Sequence, residues 1–334
     1  MNKLTLILTV FFIFLTGCSD RKKLSLGAEN QITVIADSST WVRFQPLLKK
    51  VFEREVLTPQ SEKLLILSWS PPGMLSKRVR RKNLLILGTL DNRRGTSKII
   101  REALGPTLTE SVRSGKIFLI TVDDQFARDQ KFMILASWDE TELKRKIEEN
   151  SYQLAEIFDD AANERARIRV LGKRSRTRLS DKLLETNGYT FSIPLDYKII
   201  LNDKENHLLW LASHGTRRWF LVYWEEVDDV PVITTEWVVN KRNELGISLF
   251  DSVRVNTDYL KSERTNIGEW VALKLTGLYE KINESLGGPF VSFTFYDEAS
   301  GRIYMLDGAV FAPGEDKIQF LRTLELMARS FKTK

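Results

Sequence analysis

The sequence predicts an α+β protein of two domains, the N-terminal half having α/β character. Three observations predict it. A chain of 334 residues is about two domains long. Between residues 31 and 137, short apolar, β-branched runs are separated in places by helical stretches, which suits a sheet covered by helices. From residue 179 the pattern changes to alternating runs joined by short turns, the mark of antiparallel hairpins. The expected boundaries are 31–170 for a helix-covered sheet and 179–334 for an antiparallel sheet packed on helices.

The chain opens with one cation, Lys3, and an apolar run from Leu4 to Leu15. That run is short of the roughly 20 residues that span a bilayer. A basic start, a short apolar core and small residues at the end describe a cleaved secretion signal. Leu15-Thr16-Gly17-Cys18 resembles the lipobox of bacterial lipoproteins. The resemblance implies diacylglycerol on the Cys18 sulfur, cleavage before it and acylation of the new amino group. Residues 1–17 are then a signal peptide and 18–30 a lipidated tether. The alternatives are an ordinary signal with an incidental cysteine, or an uncleaved anchor. Several acyl chains on one residue hold a protein on a membrane almost permanently. Ser19, standing where Asp would redirect sorting, implies by the same resemblance the outer membrane, with the protein facing the periplasm. Arg21-Lys22-Lys23 either touch anionic headgroups or are simply solvated.

Composition bounds the chemistry. Hydrophobic residues make up 43% of the chain and tryptophans number eight, enough for two cores. The net charge of +6 is spread over 50 basic and 44 acidic residues, which makes no case for a nucleic-acid partner. Cys18 is the only cysteine, so its acylation leaves no disulfide and no thiol chemistry. His207 and His214 straddle a predicted hairpin turn, but without cysteines or close carboxylates they make a weak metal site. No cofactor and no metal are expected.

In order, Gln31–Ala36 reads as a strand, and Ser39 as the cap of a helix burying Trp41, Phe44, Leu48, Val51 and Phe52. Pro46 is expected to kink or delay that helix. Lys63–Trp69, Asn83–Leu87, Lys116–Val122 and Lys131–Ser137 are further strands, the second entered through the cluster Lys77-Arg78-Val79-Arg80-Arg81-Lys82. Asp139 and Glu142 form a capping box, opening one helix of about 25 residues with Leu143, Ile147, Leu154, Ile157, Phe158 and Ala161 on one face. Arg165–Arg178 then holds seven basic side chains and no acid. It reads as a solvated linker, or alternatively as a contact for phosphate or lipid headgroups.

In the second half, a short helix ends at Asn187-Gly188. Tyr189–Ile193 and Tyr197–Leu201 follow as strands. His207–Ala212 and Arg218–Trp224 form a hairpin, Thr235–Leu245 a helix, and Trp270–Tyr279 a half-buried strand by alternation. Phe290–Tyr296 and Arg302–Phe311 make a second hairpin. A helix starting near Glu315 or Asp316 buries Ile318, Leu321, Leu324, Ala328 and Phe331.

The stretches Gly287-Gly288-Pro289-Phe290-Val291-Ser292-Phe293, Arg302, Leu306-Asp307-Gly308, Phe311-Ala312-Pro313-Gly314-Glu315-Asp316-Lys317 and Leu321-Arg322 resemble the lipoproteins of domain-of-unknown-function family 4837. The likeness extends to Val34-Ile35-Ala36-Asp37 with Trp41, to Pro71-Pro72, and to Phe158-Asp159 with Asn163-Glu164-Arg165. It implies a lipid-anchored envelope protein and transfers no catalytic residues. In fold alone, the C-terminal half is also similar to photosystem-accessory-protein-like sheet domains.

Candidate binding residues are Asp307, Arg302, Trp219 and Trp224. Asp307 alternates away from Tyr304 and Leu306, toward an exposed or cleft face. Asp307-Gly308 and Pro313-Gly314 otherwise read as a turn and helix cap. Trp219, Tyr223 and Trp224 would line a carbohydrate or lipid groove, or else pack a core. Asp123-Asp124, Glu225-Glu226 and Asp228-Asp229 are poor acid/base dyads, because adjacent strand residues point to opposite faces. No nucleophile elbow, phosphate loop, dinucleotide fingerprint or metalloprotease helix is present in the sequence. The expectation is a membrane-anchored, non-enzymatic binding or assembly module with an envelope protein or glycan partner. The alternative is an envelope hydrolase acting on glycan, peptidoglycan or lipid through carboxylates. Nothing in the sequence sets an oligomeric state.

Overall fold

The computed structural model describes residues 22–334, apart from residues 57, 59, 60, 92, 173, 174, 214–216, 251, 283 and 285. The signal, Cys18 and His214 lie outside the described residues. The chain divides into two compact units. The first comprises the described residues up to Arg54 together with Lys63–Ala162; the second comprises Glu55–Glu62 together with Asn163–Lys334. The fold is α+β, with a mixed sheet in the first unit and an antiparallel sheet in the second.

The first unit begins with β1 (Gln31–Ile35) and α1 (Ser38–Phe52). The short strands β2 (Glu55–Val56) and β3 (Glu62–Lys63) pair with each other, and up to Glu62 this segment groups with the second unit. Next come β4 (Ile66–Ser70), α2 (Leu75–Arg78), β5 (Asn83–Thr89) and α3 (Gly95–Arg113). Then follow β6 (Leu119–Asp123), β7 (Lys131–Ser137), α4 (Glu140–Glu149) and α5 (Ser151–Leu171). The sheet order is β4-β1-β5-β7-β6. β4, β1, β5 and β7 are parallel, and β6 closes the edge antiparallel to β7. Parallel strands buried on both faces read as continuous apolar runs, and β5 is buried at every position. One face carries Val34, Leu85, Met133 and Leu135 against Phe44 and Leu48 of α1, Leu143 of α4 and Phe158 of α5. The other carries Leu84, Ile86 and Ile134 against Ile100 and Leu104 of α3.

Several expectations change. α1 starts one residue before Ser39 and runs through Pro46. The residue ahead of it, Asp37, makes no side-chain cap. Its carboxylate instead accepts from the Thr96 backbone N at 3.0 Å and the Thr96 hydroxyl at 2.5 Å, at the start of α3. The long helix after Asp139 is two helices. Asp139 caps α4 by accepting from Glu142 N at 2.9 Å, and α4 stops at Asn150, whose Nδ2 donates to the Lys146 carbonyl at 2.8 Å. The segment 18–30, expected to be a tether, is hydrogen-bonded to this unit from Lys22 onward. Arg128 N donates to Lys23 O at 3.0 Å, Ser25 N to Arg128 O at 2.9 Å and Leu26 N to Arg80 O at 2.8 Å.

The second unit continues with α6 (Thr177–Asn187), β8 (Tyr189–Thr190), β9 (Tyr197–Asp203), β10 (Leu208–Ser213), β11 (Arg217–Glu226) and α7 (Thr235–Phe250). β12 (Val253–Ile267), β13 (Trp270–Lys281), β14 (Gly287–Asp297), β15 (Arg302–Phe311), α8 (Ile318–Arg329) and β16 (Lys332–Thr333) complete it. The seven-stranded sheet runs β12-β13-β14-β15-β11-β10-β9, antiparallel throughout. β8 pairs with β16 in a separate ribbon. The sheet is packed on both faces. Leu183 of α6 and Leu324 and Met327 of α8 cover one face, over Phe293, Phe295, Tyr304 and Trp224. Val238 and Leu245 of α7 cover the other, over Leu221, Phe290 and Met305. Gly188 closes α6 in the left-handed conformation, φ 80°, as a glycine stop does. Asp307-Gly308 is mid-strand rather than a turn. Gly308 lets the strand approach α8 closely, since a Cβ there would lie 2.8 Å from Leu324 Cβ.

The cap of α8 is not Glu315 or Asp316. Glu62, from the far end of the sequence, accepts from Lys317 N at 2.6 Å and Ile318 N at 3.2 Å, and its other oxygen takes Lys317 Nζ at 3.2 Å. A carboxylate at a helix N-terminus satisfies orphan N–H groups and opposes the helix dipole. Glu62→Ala is expected to destabilise this unit by about 2 kcal/mol, and Glu62→Gln by about half as much. Faster amide exchange in α8 than in α7 checks it.

Candidate functional site

The polar centre of the second unit lies beneath α7. This helix presents Val238, Arg242, Leu245 and Gly246 to the sheet, positions four, three and one residue apart that share a face. Arg242 is thus a cation on an apolar stripe. Its Nε donates to Asp307 Oδ1 of β15 at 2.7 Å, and both side chains are buried, 6% and 3% exposed. The guanidinium also lies 3.6 Å above the Phe290 ring centroid, a favourable cation–π placement. Trp219 of β11 stacks on Phe250 at 5.0 Å and meets Tyr279 at 5.4 Å. Trp219, Leu221, Arg242, Phe250, Met305 and Asp307 are among the residues lining a cavity of about 10 Å³, the room of a single water. Burial pushes the Tyr279 pKa up against the pull of Arg242, and its hydroxyl donates to the Val310 carbonyl at 3.0 Å. Asp307 pairs across the ladder with Ser292 of β14, whose hydroxyl is buried without a partner among the described residues.

The structure brings Asp307 and Trp219 to this one place and leaves the other two candidates elsewhere. Asp307 faces neither solvent nor an open cleft; it is 2% exposed, because α7 lies over that face. Trp224 is an odd number of residues from Trp219, so it faces the opposite side. There it meets Tyr189 at 5.5 Å and stacks with His207 at 5.5 Å. A single groove lined by both tryptophans is therefore not formed. Tyr223 stays on the α7 side, its hydroxyl donating to Glu225 at 2.7 Å; burial and Glu225 push its pKa up to about 12. Arg302 donates to Glu226 through Nη2 at 2.8 Å, which holds the Glu226 carboxyl below its ordinary value. The arginine-rich segment is largely helix rather than linker, since α5 continues to Leu171 and α6 begins at Thr177. Within it Arg167 pairs with Glu164 at 2.7 Å and Arg176 donates to the Leu195 carbonyl at 2.7 Å.

Sequence reasoning missed Arg242. The signal that carries it is a cation at the fourth position of an otherwise apolar helical repeat, and charged residues at such positions are almost always paired. Asp307 and Arg242 neutralise each other, so the site is a closed, charge-balanced polar core under an aromatic wall. Among the described residues, no group of three or more His, Cys, Asp or Glu side chains converges to hold a metal ion.

In the first unit, Glu53 is a carboxylate held through both of its oxygens. Its Oε2 meets Lys63 Nζ at 2.6 Å and its Oε1 accepts from Leu67 N at 3.0 Å. Burial alone would raise its pKa, but the Lys63 and Leu67 hydrogen bonds outweigh it and hold the pKa below 4.5. A lowered folded-state pKa means that the unfolded chain binds more protons just below pH 4.5. The stabilisation is therefore complete above that value and is lost as pH falls through the folded pKa. Glu53→Gln is expected to flatten the pH dependence of this unit's stability below about pH 5, which acid-unfolding curves check.

Comparison with known proteins follows the division of the chain. Residues 176–330 match the family model described as domain of unknown function, DUF4837. Residues 25–170 match a second model, domain of unknown function, DUF8532. The likenesses noted from Val34 to Arg165 fall in the segment of the second model. No curated protein sequence matches the chain. Among solved structures, the Ran-binding protein Mog1p of Saccharomyces cerevisiae is 12% identical, with a TM-score of 0.31, over 45% of this chain and 92% of that one. LpqN, described as involved in cell envelope biogenesis of Mycobacterium tuberculosis, is 13% identical, with a TM-score of 0.30, over 44% and 83%.

Proposed function

With residues 176–330 belonging to the DUF4837 family and residues 25–170 to the DUF8532 family, we propose that this chain is a lipid-anchored bacterial envelope protein, a non-enzymatic module for binding or assembly. The observation that carries the anchor is Leu15-Thr16-Gly17-Cys18 after a short apolar run. Acylation of Cys18 places the chain on a membrane, by preference the outer membrane facing the periplasm. The non-enzymatic reading is supported by how the candidate polar side chains are spent. Asp307 is held by Arg242, Arg302 by Glu226, and Glu62 by the first turn of α8. Each of these charges is committed to packing or capping.

Four measurements test the proposal. The intact mass of protein extracted from its own membrane should begin at Cys18 and carry acyl chains there. A Cys18→Ala chain should leave the membrane fraction; an unmodified mass overturns the anchor. Crosslinking in the native envelope should return a protein or glycan partner. Turnover of a glycan, peptidoglycan or lipid by the purified protein, lost on one carboxylate substitution, overturns the non-enzymatic reading.

A further inference from the structure

We infer that the first unit lies against an anionic lipid surface through its amino-terminal end, in one fixed orientation; this rests on Cys18 being the attachment point. Three segments meet at that end. Residues 22–27 run beside 80–82 and 124–129. Leu24 bridges Arg128 and Leu26 bridges Arg81. Lys22 Nζ donates to the Asp124 carbonyl at 2.6 Å, and Arg80 Nη2 to the Leu24 carbonyl at 2.7 Å. Residues 22–30, 77–82 and 123–131 together hold nine basic and four acidic side chains, an excess nearly as large as the net charge of the whole chain. Leu24, Leu26 and Phe126 stand out of this basic field, 52%, 52% and 39% exposed. Cations around exposed apolar side chains are what a headgroup layer over an acyl boundary accommodates.

Chain length keeps this end close to the bilayer. Three residues separate Cys18 from Lys22, and the four residue-to-residue steps between them reach at most about 14 Å when extended. Because the chain is bonded to the unit from Lys22 and Lys23 onward, no long tether remains to lift this end away from the bilayer. β1, β5 and β7 all begin here and run parallel. Their carboxyl ends, with Asp37 and Thr96, then point away from the membrane by about 20 Å, at 3.3 Å per residue.

The test uses the mature chain from Cys18, made without acylation and coupled through this single thiol to a maleimide-bearing phospholipid. Vesicles are phosphatidylcholine alone or mixed with phosphatidylglycerol, and the readout is lysine acylation by mass spectrometry. On the anionic vesicles, Lys22, Lys23 and Lys77 should react about tenfold more slowly than in free protein. Lys98, near the far ends of the strands and 67% exposed, should be unchanged. Lys23→Glu with Arg128→Glu, and separately high salt on the unaltered protein, should restore the reactivity of Lys22 and Lys77. Equal reactivity of Lys23 and Lys98 on anionic vesicles overturns the inference. So does protection that is indifferent to salt or to phosphatidylglycerol. Because the coupling is chemical, this outcome is independent of acylation in the cell, which the intact mass decides.

Discussion

Asp307→Ala is expected to destabilise the second unit by about 3–5 kcal/mol, the cost of leaving a buried cation without its partner. The geometry sets that size. Asp307 and Arg242 are both nearly inaccessible, and the space beside them holds about one water, too little to solvate a guanidinium. The Phe290 ring retains a share of the cation's stabilisation, but a ring face replaces neither the charge nor the hydrogen bond of a carboxylate. The pair itself is not the source of the unit's stability. Replacing both members together, Arg242→Met with Asp307→Leu, removes two desolvation penalties along with one attraction, and should return stability to within about 1–2 kcal/mol of the original chain. Amide exchange in β11, β14 and β15, followed in denaturant, reads both variants without involving the first unit. A single Asp307→Ala variant as stable as the double would refute the buried-pair account.

That pair also illustrates what the sequence discloses and what it conceals. Asp307 could be placed on one face of its strand by counting residues, because a period of two is a local property. What covers that face could not be counted, because α7 reaches it from 65 residues away. The same limit hid the cap of α8, where Glu62 stands 255 residues from Lys317. β12 escaped notice for a different reason. It is an edge strand, with Asp258, Lys261, Glu263 and Arg264 exposed and a register shift between Asn256 and Lys261, so it lacks the alternation that betrays a half-buried strand. Charges and bulges of this kind keep an edge from pairing with other chains. α3 was obscured by Gly105 and Pro106, where Gly105 takes φ 69° inside the helical run. The long apolar strands, the Asp139 cap and the Gly188 stop were legible because each depends on neighbours within a turn or two.

Gly288→Ala is expected to cost the second unit about 3 kcal/mol or more, through overpacking against backbone rather than a flexible side chain. A Cβ at Gly288 would lie 1.9 Å from the Val310 carbonyl oxygen and 2.9 Å from the Tyr279 hydroxyl. Neither neighbour is free to yield. The Val310 carbonyl belongs to β15 and accepts the Tyr279 hydroxyl, while Tyr279 is the ladder partner of Gly288 in β13. Admitting one methyl therefore means separating three strands on the face that carries Phe290 and Asp307. Tyr279→Phe removes only the hydroxyl contact and should not rescue the variant, because the carbonyl clash remains. Gly314 makes the useful contrast. Nothing lies within 4 Å of a Cβ there, but its φ is +76°, so Gly314→Ala should cost about 1–2 kcal/mol in backbone strain and Gly314→Asn less. If melting of Gly288→Ala matched that of Gly314→Ala, close strand approach would not be the reason for glycine at position 288. If Gly288→Ala alone opened the β13–β15 amides to exchange, the Gly-Gly-Pro stretch would be fixed by packing geometry, with no ligand needed to account for it.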